Sequence, residues 1–365
     1  MSHPPRAAGP LTAGCSAPPS EVYDVALLDL DGVVYVGPDA VPGVPAALAA
    51  ARAAGMRLGF VTNNASRTPD DVAEHLRDLD IPAEPSDVIT SSQAAASVVA
   101  GLFGQSGRVL PVGGPGVAAA LTAAGLTVVE RAEDRPDAVV QGYGREVGWA
   151  QLAEAVVAVR NGARHVATNS DATIPSPRGP LPGNGAMVGV VAGVTGQAPL
   201  VTGKPDPAMH EECVRRTGAR RPLVVGDRLD TDIEGARRAG AASLLVFTGV
   251  TEPAALLAAG PLHRPDLLAA DAGGLLVPHP AVTGEAGGWR CGHWTVRLAE
   301  TGEALVLERE QRAEDQAADD GLDGLRALCV AHWSRHPGRA AGGTVVAVGE
   351  RADAALRRWG LAPAD

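Results

Sequence analysis

The sequence has almost no lysine. Of its 31 lysine and arginine residues, Lys204 is the single lysine. A lone ammonium in a chain that otherwise uses arginine suggests a place where a compact, three-donor cation is needed, with chance as the competing reading. Aromatic residues are only 3% of the 365, so the interior must be aliphatic, built from Val, Leu and Ala. Positive charge is in deficit. The formal net charge is -11, which argues against a nucleic-acid partner, whose phosphates require a basic face. An anionic substrate would instead need a local positive site made by a metal or a few placed cations.

Cysteines are few and far apart. Cys15, Cys213, Cys291 and Cys329 form no CxxC or zinc-knuckle spacing, and read as free thiols in a reducing, cytoplasmic compartment. No run of about 18 apolar residues escapes interruption by Gly, Pro or polar residues, so no membrane span is predicted. Residues 1–20 lack a compact apolar segment after a basic start. They read as a disordered tail rather than a signal peptide.

What is plentiful is punctuation. The 45 glycines and 29 prolines mark turns between short elements, and the length suggests two or three domains. The stretch around which the chain is organised is Val25-Ala26-Leu27-Leu28-Asp29-Leu30-Asp31-Gly32. Four apolar residues predict a strand buried on both faces. Asp29 sits at its carboxyl end, where open α/β sheets bind ligands, and alternation puts Asp31 on the same side. Two acids held so close repel. A divalent cation, or a division of labour between nucleophile and acid, resolves the conflict. A strand followed by an Asx-type turn is the competing reading.

From there strand and helix alternate. Helix is predicted over 42–54, strand over 57–61, helix from Thr68 to about 79 with Pro69 at its first position, strand over 88–90 and helix over 92–100. A second α/β unit follows, with strands at 109–112, 138–140 and 165–168, helices at 117–124 and 149–160, and a Pro/Gly-rich loop over 175–185. The first unit then resumes with a strand edge ending in Lys204, a helix to about 217, a strand over 222–226 ending in Asp227, a helix over 231–239 and a strand over 243–247. Four strand ends thus carry Asp29/Asp31, Thr62/Asn63, Lys204 and Asp227, and a parallel sheet would bring all four to one crevice. Beyond 278 a hairpin over 289–310, a helix over 322–336, a strand over 344–348 and a helix over 352–359 are predicted. Four of the five tryptophans lie there, which suggests a separate small domain. The fold class expected is α/β: a doubly wound parallel-sheet core (21–103 and 197–277), an inserted α/β unit (104–196) and a small α+β C-terminal domain (278–365).

The ordered set Asp29-Leu30-Asp31-Gly32-Val33, Val61-Thr62-Asn63-Asn64, Lys204-Pro205 and Gly226-Asp227-Arg228-Leu229-Asp230-Thr231-Asp232 resembles the haloacid dehalogenase-like phosphatases over roughly 22–277. The insertion between the second and third motifs is similar to that of the nitrophenylphosphatase, phosphoglycolate phosphatase and glycerol 3-phosphate phosphatase group. The added C-terminal domain resembles the layout of the actinobacterial glycerol 3-phosphate phosphatases. The resemblance implies that Asp29 attacks phosphorus to give an aspartyl phosphate, and that Asp31 protonates the leaving alcohol and then activates water. It implies Mg²⁺ on Asp29, the Asp31 carbonyl and Asp227, with Asp232 supporting the metal or orienting Lys204. Thr62, Asn63 and Asn64 would bind the phosphate, and Lys204 would offset its charge. The inserted unit would be a cap, with Asn169, Asp171 and Arg178 as specificity candidates.

The substrate expected is a small phosphorylated metabolite, glycerol 3-phosphate first, with phosphoglycolate and nitrophenyl phosphate as alternatives. A non-catalytic phosphometabolite-binding protein is the reading of another class. Caps of this kind can pair, so a homodimer is compatible. Asp31 argues against a dehalogenase, which needs no second acid. The assignment of the single lysine to the core argues against a phosphonate hydrolase, which needs a cap lysine. The C-terminal strand and helix order resembles part of an acetyltransferase fold. Arg335-His336-Pro337-Gly338-Arg339-Ala340 loosely fits that fold's pyrophosphate-binding pattern but follows a helix, so no acetyl transfer is predicted, and the region is read as a docking or regulatory appendage.

Overall fold

The structure is a computed structural model, and it describes residues 9–174, 176, 178–285, 287–300, 302–310 and 320–362. It divides into two compact units, one formed by Met1–Leu58 with Arg220–Asp365, the other by Gly59–Ala219.

In the first unit, strands Leu267–Ala269, Ala242–Val246, Pro222–Gly226 and Val25–Asp29 lie side by side in that order, all parallel. Leu28 lies opposite Val225 and Leu244 opposite Leu267. Val25 to Leu28 are buried on both faces, as the unbroken apolar run requires. A second, five-stranded sheet runs Thr283–Glu285, Gly288–Cys291, Trp294–Leu298, Ala304–Arg309 and Thr344–Val348. Its first four strands are antiparallel, and Thr344–Val348 adds parallel to Ala304–Arg309. The expected single strand from Trp289 is therefore two, broken at Gly292, whose φ of +53° suits a tight reversal.

The apolar core of the C-terminal segment is continuous with that of the parallel-sheet region. Leu245, Leu256, Leu257 and Leu268 of the parallel-sheet region belong to one apolar cluster with Trp294, Leu307, Leu328, Trp333 and Trp359. Two buried arginines fasten the same boundary. Arg326, in helix Asp323–Arg335, donates to the Leu268 carbonyl at 2.6 Å while its fork engages Asp320 and Asp323. Arg264 donates to the carbonyls of His336 at 2.6 Å, Arg339 at 3.1 Å and Pro337 at 3.2 Å, and lies over the Trp333 ring. Those carbonyls, just past the end of a helix, would otherwise lack donors. The 335–340 segment, flagged for its pyrophosphate-like pattern, is thus a helix exit clamped by an arginine. The sequence of residues 314–320 reads as an acidic loop, of which only Asp320 lies within the described residues.

The amino-terminal stretch also departs from expectation. Residues 1–8 lie outside the described residues, but Leu11 is buried in the shared cluster, and Cys15 and His279 exchange two main-chain hydrogen bonds of 2.8 Å. A short helix follows at Pro19–Val22. The low complexity of the first residues hid one apolar anchor and one backbone bridge.

In the second unit, Phe60, Val61 and Thr62 of strand Arg57–Thr62 pair in parallel with Val88–Thr90. A five-stranded parallel sheet carries strands Leu200–Val201, Arg164–Ala167, Ala138–Gln141, Arg108–Val112 and Thr127–Val128 in that order. Thr68 caps helix Pro69–Asp78 in a reciprocal box with Asp71. Helix Ser91–Phe103 packs through Ala95, Ala96 and Val99 on Val117 and Leu121. One helix, Asn184–Thr195, was read as loop and unassigned chain. Its glycines at 185, 189 and 193 lower helix propensity, yet Val188 and Val191 bury one face, and tertiary packing outweighs the propensity.

Two measurements check these contacts. Arg326→Ala leaves two carboxylates without their cation, and the expected loss is about 3 kcal/mol of unfolding free energy, read as a lower urea midpoint. His165 is buried and its pKa is lowered from 6.5 to about 4 by desolvation. As pH falls, the unfolded chain takes up this proton first, so its contribution is complete above 6.5 and is lost toward 4. In His165→Asn, stability should fall less steeply with pH across that window, by up to about 1.4 kcal/mol per pH unit.

Candidate active site

The first unit gathers acids at the carboxyl ends of neighbouring parallel strands. Asp29 ends Val25–Asp29, and its Oδ1 accepts the Leu30 N–H at 2.8 Å. The chain then winds tightly: the N–H groups of Val33, Val34 and Tyr35 all point to the Leu30 carbonyl, and Gly32 N–H donates to Tyr35. Gly32 has φ +86°, and a Cβ there would lie 2.5 Å from Asp227 Oδ2. Only glycine meets both conditions. Asp227 follows the buried strand Pro222–Gly226, is itself fully buried, and accepts the Val250 N–H at 2.7 Å. Asp232 is buried and accepts the Arg228 N–H at 3.1 Å.

Carboxylate oxygens of Asp29, Asp227 and Asp232 lie within 4.8 Å of one another. Three such charges repel strongly in a poorly hydrated setting. An all-oxygen, anionic donor set at this spacing fits a hard divalent cation better than zinc or copper, whose sites more often use nitrogen and sulfur. Asp31 has an exposed side chain that is not among the three. Asp232, expected in a supporting role, stands with the other two carboxylates. The loop Thr248–Thr251 was missed by sequence reading. Thr248 donates its hydroxyl to the Gly32 carbonyl, and side chains at Gly226 and Gly249 would overlap Asp232 and Asp227 respectively. The loop follows the strand Ala242–Val246, so the carboxyl-end rule that located Asp29 would have located it too.

The second unit gathers amides and the lysine. Thr62 is buried at the end of its strand, and its Oγ1 accepts the Asn64 N–H at 3.0 Å. The Asn63 amide clasps the Lys204 main chain: Lys204 N–H donates to Oδ1 at 2.8 Å, and Nδ2 donates to the Lys204 carbonyl at 3.2 Å. Asn64 Oδ1 accepts the N–H and hydroxyl of Ser66 at 2.9 and 2.7 Å. The side chains of Asn63 and Asn64 therefore shape the loop and hold the lysine. Of the specificity candidates, Asn169 is buried, Asp171 is partly buried 3.4 Å from Asn63 Nδ2, and Arg178 is exposed. Ser91, unremarked in the sequence, donates to the Asn63 carbonyl at 2.7 Å.

The glycine at 249 offers a test of the acid cluster that removes no carboxylate from the chain. In Gly249→Ala the new methyl group displaces the Asp227 carboxylate. Affinity for Mg²⁺, followed by calorimetry, should fall at least about tenfold, the equivalent of about 1.4 kcal/mol.

Comparison with known proteins accords with this geometry. A family profile of haloacid dehalogenase-like hydrolases matches residues 26–127, a second of the same kind matches 201–275, and a GCN5-related N-acetyltransferase-like domain profile matches 291–361. The D-glycerol 3-phosphate phosphatase of Mycobacterium tuberculosis is 42% identical over 363 residues, spanning 95% of this chain and 96% of that one. Crystal structures of a Mycobacterium tuberculosis glycerol phosphate phosphatase with calcium and with magnesium superpose with TM-scores of 0.86 and 0.83 at 41% and 42% identity. They cover 95% and 94% of this chain, and 100% and 99% of theirs. A 4-nitrophenylphosphatase from Thermotoga maritima gives 0.65 at 30% identity, covering 71% of this chain and 98% of its own. With acids, threonine and lysine at its strand ends and likeness along nearly its whole length, the chain belongs to the haloacid dehalogenase-like hydrolases, among their divalent-metal-dependent phosphatases.

Proposed function

We propose that this phosphatase hydrolyses glycerol 3-phosphate to glycerol and phosphate with Mg²⁺ as its metal. One observation carries the choice of substrate: the likeness to a D-glycerol 3-phosphate phosphatase runs through the C-terminal segment as well as the phosphatase regions. In this reading an Asp29 carboxylate oxygen attacks phosphorus. The ester P–O bond breaks, and Asp31 gives its proton to the departing glycerol oxygen. Asp31, now a carboxylate, takes a proton from water. That water displaces phosphate from the Asp29 acyl phosphate and restores the enzyme. The Thr62 hydroxyl and the Lys204 ammonium hold the phosphate oxygens where negative charge gathers. Asp29, Asp227 and the Asp31 carbonyl, supported by Asp232, would hold Mg²⁺, which when bound neutralises the facing anions and polarises the phosphoryl group. The four cysteines are buried free thiols, which supports a reducing, cytoplasmic setting.

The test is phosphate release from glycerol 3-phosphate. Turnover with Mg²⁺ is expected to vanish with a chelator and to fall by at least about a thousandfold in Asp29→Asn. Calcium, with its looser and larger coordination sphere, should support less turnover than magnesium. Turnover of phosphoglycolate or nitrophenyl phosphate alone would keep the chemistry and replace the substrate. Silence on all three esters would favour a phosphometabolite-binding protein.

A further inference from the structure

We propose that Asn169 is a positioning residue for the phosphate-binding segment, which it reaches through the main chain of Asn63 and, beyond that, through Lys204. The proposal rests on the reading of Thr62 and Lys204 as phosphate ligands. Asn169 is 3% exposed, and its Nδ2 donates to the Asn63 carbonyl at 2.7 Å. Ser91 Oγ donates to the same oxygen at 2.7 Å, so both lone pairs of that carbonyl are engaged and the peptide after Asn63 is held from two sides. The Asn63 side chain in turn clasps Lys204 through both main-chain groups.

Behind Asn169 stands another buried amide. Asn184, 2% exposed at the start of helix Asn184–Thr195, donates Nδ2 to the Asn169 carbonyl at 2.9 Å and to the Gln141 carbonyl at 3.3 Å. Three amides in series therefore join the inserted sheet to the lysine. Buried amides are costly unless hydrogen-bonded, and an aliphatic residue of similar volume would pack as well. Their presence here fixes where a backbone lies.

A second observation points the same way. The loop after Asn63 is seated on glycines of the inserted unit: the Ser66 carbonyl accepts the Gly116 N–H at 3.1 Å, and a Cβ at Gly142 would lie 2.8 Å from that of Ala65. Asn169, read as a specificity candidate, thus acts on the phosphate end of the substrate through a neighbour and has no need to touch the substrate.

The test measures inorganic phosphate binding by calorimetry with Mg²⁺ present, together with kcat, KM and thermal midpoint. Asn169→Ala and Ser91→Ala each remove one donor to the Asn63 carbonyl. Each is expected to weaken phosphate binding at least about fivefold and to lower kcat more than it raises KM. Mg²⁺ affinity should be unchanged, because the acid cluster is untouched. Val188→Ala opens a cavity on helix Asn184–Thr195 outside this chain of amides and serves as the stability control. Phosphate affinity in Asn169→Ala equal to wild type, or reduced no more than in a Val188→Ala protein of matching thermal midpoint, would overturn the proposal. A wild-type protein that binds no phosphate and hydrolyses no ester would instead defeat the functional reading beneath it.

Discussion

Three carboxylates confined within 4.8 Å set the terms for the rest of the first unit. Left alone, they push apart. Holding them together takes a rigid frame, and the frame is a parallel sheet whose strands have almost no freedom to shift, since Val25 to Leu28 and Leu223, Val225 and Leu244 are closed in by apolar neighbours. Main-chain N–H groups from Leu30, Arg228 and Val250 aim at the three acids, and glycines at 32, 226 and 249 let the backbone pass close beside them. A cation is the counter-charge that such a frame is built to receive. In a chain of net charge -11 with one lysine, this local reversal of sign is what allows a phosphate ester to approach at all.

In the second unit the segment from Thr62 to Ser66 is held by amides, hydroxyls and glycine contacts. The single lysine is held through its main chain, whose N–H and carbonyl both meet the Asn63 amide. A guanidinium at this position would bring a planar fork where a compact charge suffices.

Much of this was legible in the sequence. Apolar runs ending in Asp29, Thr62 and Asp227 announced strands and their carboxyl ends, because a strand buried on both faces has no other pattern available to it. Helix Trp149–Arg160 and strands Val88–Thr90 and Thr344–Val348 were read to the residue. What failed did so for physical reasons. Helix Asn184–Thr195 has a local glycine content that speaks against it and a tertiary face that overrules this. Leu11 and Cys15 sit in a stretch whose composition resembles a tail. The duties of Asn63 and Asn169 depend on partners more than a hundred residues away, and no local pattern reports them. The tryptophan-rich C-terminus was recognised as a distinct composition, but composition does not reveal whose leucines the tryptophans cover.

That shared core bears on how such a chain can change over generations. Nitrophenylphosphatase relatives such as the Thermotoga enzyme match 71% of this chain with 98% of their own length, so a phosphatase of this kind stands without the acetyltransferase-like module. Here Leu256, Leu257 and Leu268 have come to lie under Trp294, Trp333 and their neighbours. An addition that began as optional becomes obligatory once the surface beneath it turns apolar, because each further leucine is neutral while covered and harmful when bare. The module is entrenched by the packing it permits, whether or not it retains chemistry of its own.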